Sequence, residues 1–125
     1  MTLQILSDKF SVSKLSRMPD LSTIDGIYFT ACTDREISLV CGESSVPLDI
    51  ALCVDSGWRA MRIKGELDFS LVGILSAISD ALASCKISVF ALSTYDTDYV
   101  LVKDIASARA CLESAGYEIE EPSCR

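Results

Sequence analysis

Histidine and asparagine are both absent from the 125 residues of this chain. That excludes an imidazole base, a histidine metal ligand and an asparagine oxyanion donor. Positive charge is scarce too: 11 Lys and Arg stand against 18 Asp and Glu, a formal net charge of −7. Phosphate backbones and anionic membrane surfaces are repelled by such a chain, so neither nucleic acid nor a membrane is expected as a partner. No apolar run approaches the roughly 18 residues of a membrane span, and Met1 to Phe10 lacks a basic stretch followed by an apolar one, so no secretory leader is read there. The six cysteines, Cys32, Cys41, Cys53, Cys85, Cys111 and Cys124, contain no C-x-x-C pair. Zinc-ribbon and thioredoxin patterns are thereby missing. A cytoplasmic setting follows, with reduced thiols acting mostly as small core hydrophobes and with no metal or cofactor. What the chain does have is 50% hydrophobic content, ample for a buried core in one domain or two very small ones.

The chain repeats itself. Phe29-Thr30-Ala31-Cys32-Thr33 aligns with Phe90-Ala91-Leu92-Ser93-Thr94, and after one extra residue in the second turn Glu36-Ile37-Ser38-Leu39-Val40 aligns with Asp98-Tyr99-Val100-Leu101-Val102. Each copy is an apolar run, a polar turn and a second apolar run, the pattern of a β-hairpin. Leu3-Gln4-Ile5 and Met61-Arg62-Ile63 precede the two hairpins and alternate as half-buried strands do. In the second copy, Trp58 to Lys64 reads as a strand. Leu71, Ile74, Leu75, Ile78 and Leu82 form a helical stripe, Leu71 to about Cys85, capped by Ser70. Ile87 to Ser93 and Tyr99 to Lys103 are the hairpin strands, Asp104 caps a second helix, Gly116 ends it, and Tyr117 to Glu120 is a last strand. The order is βαββαβ.

The first copy is trimmed. Thr2 to Leu6 reads as a strand, Val12 to Arg17 as a short helix ended by Pro19, and Ala51 to Asp55 as an edge strand. Between them, a helical turn is capped by Ser44 or Ser45, with Pro47 in its first turn. With Gly57 as the boundary, residues 1–56 and 57–125 are expected as two modules packed as one unit, α+β in class, with antiparallel sheets and helices on one face. Many functions share this ferredoxin-like layout. Residue content removes several: an acylphosphatase-like enzyme needs an Asn, a heavy-metal carrier a C-x-x-C loop, and an RNA-recognition module a basic, aromatic sheet. Small-molecule binding survives.

Gly57-Trp58, Gly65 to Ile74 and above all the string from Ser93 to Lys103 resemble the ACT-domain family of small tandem amino-acid-binding proteins, with a relation to the ACT modules of a cytosolic arginine sensor. The resemblance covers about residues 24–120. It implies two tandem ACT modules, a free amino acid as ligand, a regulatory role without catalysis, and a homodimer that supplies a facing module. The implied ligand contacts are Phe69, Ser70, Leu71, Gly73 and Ile74 on one loop and Ser93, Thr94, Asp96, Thr97 and Asp98 on the hairpin turn. The chemistry of these residues suits the task. A helix start favours a carboxylate, glycine permits close approach, hydroxyls donate or accept, and Asp96 and Asp98 accept from an ammonium or cationic side chain. Asp98 matches an acid of the sensor's pocket and is the first choice. Departures from the family pattern are Glu66, Val72 and Cys85-Lys86, of which Val72 removes a hydroxyl from the helix start. Two rival readings stand beside this one: a dimerisation or protein-interaction module without a small-molecule site, and cysteine redox chemistry, for which Lys86 beside Cys85 is the basic neighbour.

Overall fold

The computed structural model describes residues 1–65 and 72–122. Its contacts divide the chain into two compact units, one made of Met1–Ser7 with Arg59–Arg125, the other of Asp8–Trp58. Two long strands, β1 (Thr2–Leu15) and β4 (Ala51–Ile63), contribute residues to both.

The first unit is an α+β ferredoxin-like domain. After β4 come α1 (Ile74–Ser84), β5 (Phe90–Ser93), β6 (Asp98–Val102), α2 (Ile105–Ser114) and β7 (Glu118–Glu120). The β5–β6 hairpin pairs Phe90 with Leu101 and Ser93 with Asp98, and β6 pairs antiparallel with β4 from Arg59↔Val102 to Arg62↔Tyr99. The last strand, β7, runs parallel to the start of β1, Thr2↔Glu118 to Gln4↔Glu120. On the other side of that start, Lys64 N–H donates to Thr2 O at 2.9 Å. The order is therefore β7-β1-β4-β6-β5, with the chain's first residues inserted where a solitary βαββαβ module would pair its first and last strands directly. Lys64 and Gln4 both reach Glu120 (2.8 and 3.2 Å), and the Lys64 hydrogen bond, followed by that from Gln4, holds its carboxyl below the usual range.

Period-two alternation in the strands and period-3.6 spacing in the helices converge on one core. Leu3, Ile5, Met61, Ile63, Val100 and Val102 from the sheet meet Ile78, Leu82, Ala108 and Leu112 from the helices. Each Leu, Ile, Val or Met side chain among them contributes roughly 1.5–3 kcal/mol on burial. Helix α2 starts where Asp104 accepts from Ser107 N–H at 3.1 Å, as expected of an N-cap. Helix α1 begins at Ile74, later than the apolar stripe suggests, because Gly73 stands at its N-cap in a left-handed conformation (φ 77°) that a right-handed helix does not contain. The expected cap Ser70 and first residue Leu71 lie outside the described residues.

The second unit holds the hairpin of β2 (Phe29–Cys32) and β3 (Ile37–Gly42), with β3 paired to β1 from Phe10↔Gly42 to Leu15↔Ile37. Leu15, Ile24, Leu39, Cys41 and Ile50 form its core. Here the expected short helix at Val12 to Arg17 is wrong: β1 runs on to Leu15. Ser11, Ser13 and Leu15 are buried while Lys14 between them is exposed. Six residues with a β-branched Val and two Ser have little intrinsic helicity, so pairing with β3 decides. The helical turn after β3 is a 3₁₀ turn at Glu43–Ser45, without a side-chain cap. Ser45 instead accepts from Asp25 N–H at 3.2 Å. Ala51 to Asp55 is no separate edge strand but the first part of β4, which runs through Gly57 (φ 88°).

The cysteines depart from the expectation as well. Cys41 is buried, but Cys32, Cys53 and Cys85 are exposed, and Cys85 is joined to Cys111 by a disulfide across a Cα–Cα distance of 6.5 Å. A spacing of 26 residues carries no local signal; only the packing of α1 beside α2 brings the pair together. Cys124 lies outside the described residues.

Candidate functional site

The β5–β6 turn is held by its own hydroxyls. Thr94 N–H donates to Thr97 O at 2.8 Å, Thr94 Oγ1 donates to the same carbonyl at 3.0 Å, and Thr97 N–H returns a bond to Thr94 Oγ1 at 3.4 Å. The first copy closes its turn in the same way: Thr33 N–H and Thr33 Oγ1 both donate to Glu36 O (2.9 and 3.2 Å), and Glu36 N–H donates back to Thr33 Oγ1 at 3.1 Å. Threonine at the head of each polar turn is thus a turn-builder, as its side chain allows.

The two turns part at the next step. Thr97 is 8% exposed, and its hydroxyl donates to Ile63 O at 2.8 Å. This bond fixes the turn against Ile63, the last residue of β4. Asp98, opposite Ser93 at the mouth of the hairpin, accepts from Ser93 Oγ through Oδ1 at 2.6 Å. Asp96 is exposed, as is Tyr95 at 81%.

Of the ten residues expected to touch a ligand, seven are described. Ser93, Thr94, Asp96, Thr97 and Asp98 share the one turn, but the hydroxyls of Thr94 and Thr97 are committed to backbone carbonyls. Ile74 is partly buried against the helix-covered core. Gly73 has open space around it: a Cβ there would meet nothing within 4 Å, so its glycine is required by the positive φ and not by crowding. Val72 beside it is 89% exposed. Phe69, Ser70 and Leu71 lie outside the described residues.

At the opposite end of α1, a cavity of about 390 Å³ is lined by Cys85, Lys86, Ser88, Lys103, Asp104 and Ser107. Asp104 is held below the usual carboxylate range by the Ser107 hydroxyl first and the Ser107 N–H second. Among the described residues, no three metal-ligating side chains gather into a cluster, and no helix is long and apolar enough to cross a membrane.

Two helices on one face of this sheet define an α+β ferredoxin-like domain. Residues 54–113 match the family model of the ACT domain, and over that stretch the chain belongs to the ACT-domain family. The mouse protein named cytosolic arginine sensor for mTORC1 subunit 1 is 36% identical over 86 residues, and its human counterpart is 35% identical over the same length. The match takes in 66% of this chain and 24% of those relatives, so the chain spans about a quarter of their length. Among solved structures, a protein of Agrobacterium tumefaciens superposes with a TM-score of 0.87 at 28% identity, covering 99% of this chain and 95% of that one. The chain shares its fold with aspartokinase α and β subunits, at a TM-score of 0.63 and 15% identity, covering 93% of this chain and 97% of that one.

Proposed function

We propose that this chain is a non-catalytic regulatory protein of two tandem ACT modules, the first reduced, that binds a free amino acid between the 69–74 loop, the 93–98 turn and the facing module of a second copy in the cytoplasm. One observation carries the reading. Asp98 holds a carboxylate at the mouth of a hairpin that Thr97 pins against Ile63, the last residue of β4; Ser93 is bonded to one oxygen, and among the described residues no donor reaches the other. A ligand ammonium or guanidinium is the matching partner. The start of α1 after Gly73 presents first-turn N–H groups of the kind that donate to a ligand carboxylate. The likeness to proteins named as arginine sensors makes arginine the first ligand to try.

The test is a thermal-shift screen of the common amino acids at millimolar concentration. A binder present at a hundredfold its Kd stabilises the native state by about 2.7 kcal/mol. Asp98→Ala should abolish the shift while leaving the unliganded melting temperature nearly unchanged, since Asp98 serves an exposed bond. No shift with any amino acid rejects the reading. So does a shift that survives Asp98→Ala.

The interaction-module reading has one observation in its favour: the Thr94 and Thr97 hydroxyls are both committed to backbone carbonyls, that of Thr97 in the turn and that of Ile63 in β4. It expects a dimer whose stability is indifferent to every amino acid in the same screen.

A further inference from the structure

We propose that Cys85 is a site of reversible S-thiolation, through which a small anionic thiol opens and recloses the Cys85–Cys111 disulfide. The two sulfurs differ in access. Cys85 is exposed at the C-terminal cap of α1, whereas Cys111 is 9% exposed within α2. An attacking thiolate therefore meets Cys85 first.

The cavity beside Cys85 supplies a place for that attacker. Lys86 follows Cys85 directly, and Lys103 lines the same cavity of about 390 Å³ together with the hydroxyls of Ser88 and Ser107. Lys86 and Lys103 outnumber the one carboxylate of the lining, Asp104, so in a chain of net charge −7 this wall carries a local positive excess that favours a carboxylate-bearing thiol over a neutral one. Lys86 is held there by the chain. It has φ 60°, and around it Lys86 N–H donates to Ala83 O at 2.9 Å and Ile87 N–H to Leu82 O at 3.0 Å, a closed helix end.

The open state is provided for as well. Ala81 O lies 3.1 Å from Cys111 Sγ and already accepts from Ser84 Oγ at 2.6 Å. Its second lone pair is an acceptor for a Cys111 thiol proton. In the forward step a thiolate bonds to Cys85 Sγ, the Cys85–Cys111 bond breaks, and the electron pair leaves on Cys111, which takes a proton from solvent. A second thiolate then attacks the bound small-molecule sulfur, leaving with it as the small disulfide and releasing Cys85 as thiolate. Reclosing runs the same steps backwards with the small disulfide as oxidant.

Glutathione serves as the anionic probe and 2-mercaptoethanol as the neutral one. Protein carrying Cys32→Ser, Cys53→Ser and Cys124→Ser, purified without reductant, is treated with each, quenched with an alkylating agent and mapped by mass spectrometry. The expected result is a disulfide at the start, a glutathione adduct on Cys85, and a Lys86→Asn/Lys103→Gln variant that reacts roughly fivefold more slowly with glutathione at an unchanged 2-mercaptoethanol rate. Asparagine at position 86 tolerates the left-handed backbone. Cys111→Ser should be modified on Cys85 by glutathione disulfide. Two free thiols at the start, an adduct on Cys111, equal slowing with both thiols, or an unmodified Cys111→Ser variant would each overturn the proposal.

Discussion

Replacing Thr97 by Val tests whether the candidate site is held by one buried bond. The substitution keeps the volume and removes the hydroxyl that donates to Ile63 O at 2.8 Å. Thr97 is 8% exposed and Ile63 1% exposed, so water has poor access to the carbonyl left behind. The lost bond and the unsatisfied acceptor together cost about 2 kcal/mol. For a chain of this length that is a fall of roughly 7 °C in melting temperature. Urea unfolding followed by circular dichroism should show a lower midpoint at the same slope, the sign of lost stability without a changed denatured state. Thr97→Ser keeps the hydroxyl and should recover most of the loss. A Val variant within about 2 °C of the parent, or a Ser variant that falls as far as Val, would refute the reasoning: the first would mean the bond is worth little, the second that retaining the hydroxyl does not restore the stability assigned to it.

Other substitutions probe neighbouring features. Gly73→Ala should cost about 1 kcal/mol from the φ of 77° alone, because nothing lies within 4 Å of the added Cβ; Gly73→Asn should cost less in the same melting experiment. Asp104 has a folded pKa lowered by Ser107, so its contribution to stability is complete above the unfolded carboxylate range and is lost as pH falls through the folded value. Asp104→Asn caps without titrating. An acid series of melting curves should therefore fall more steeply for the parent than for the variant, and parallel curves would remove Asp104 from the account.

Much of the fold is written locally. Ile78 and Leu82 lie one turn apart on α1, Asp104 sits three residues before the N–H it accepts, and the Ser93 and Asp98 partners flank a turn of four residues; each relation falls within a few positions of sequence. The Thr33 and Thr94 turns bond alike and correct the register of the repeat: Cys32 pairs with Ile37 and Ser93 with Asp98, so both turns hold four residues, Glu36 matches Thr97 and not Asp98, and the second turn has no extra residue. Val12 to Leu15 carry too weak a local preference to show their strand in the sequence, and the partner that decides, β3, lies more than twenty residues away. The turn that carries Asp98 is legible in the sequence as a polar break between two apolar runs. The sequence did not reveal that the Thr97 hydroxyl is turned inward, because Ile63 is a partner 34 residues earlier.

The sequence by itself determined what chemistry this protein has to work with: no imidazole, no asparagine, a surplus of carboxylates, and a Ser-Thr-x-Asp-x-Asp turn between two strands. Tertiary structure decided how those groups are spent. Only packing turns the Thr97 hydroxyl inward to Ile63 O, and only the packing of α1 beside α2 turns two distant cysteines into a pair. Composition and short-range spacing act within a turn or two of chain, whereas hydrogen bonds and disulfides between distant residues exist only once burial has brought their backbones together.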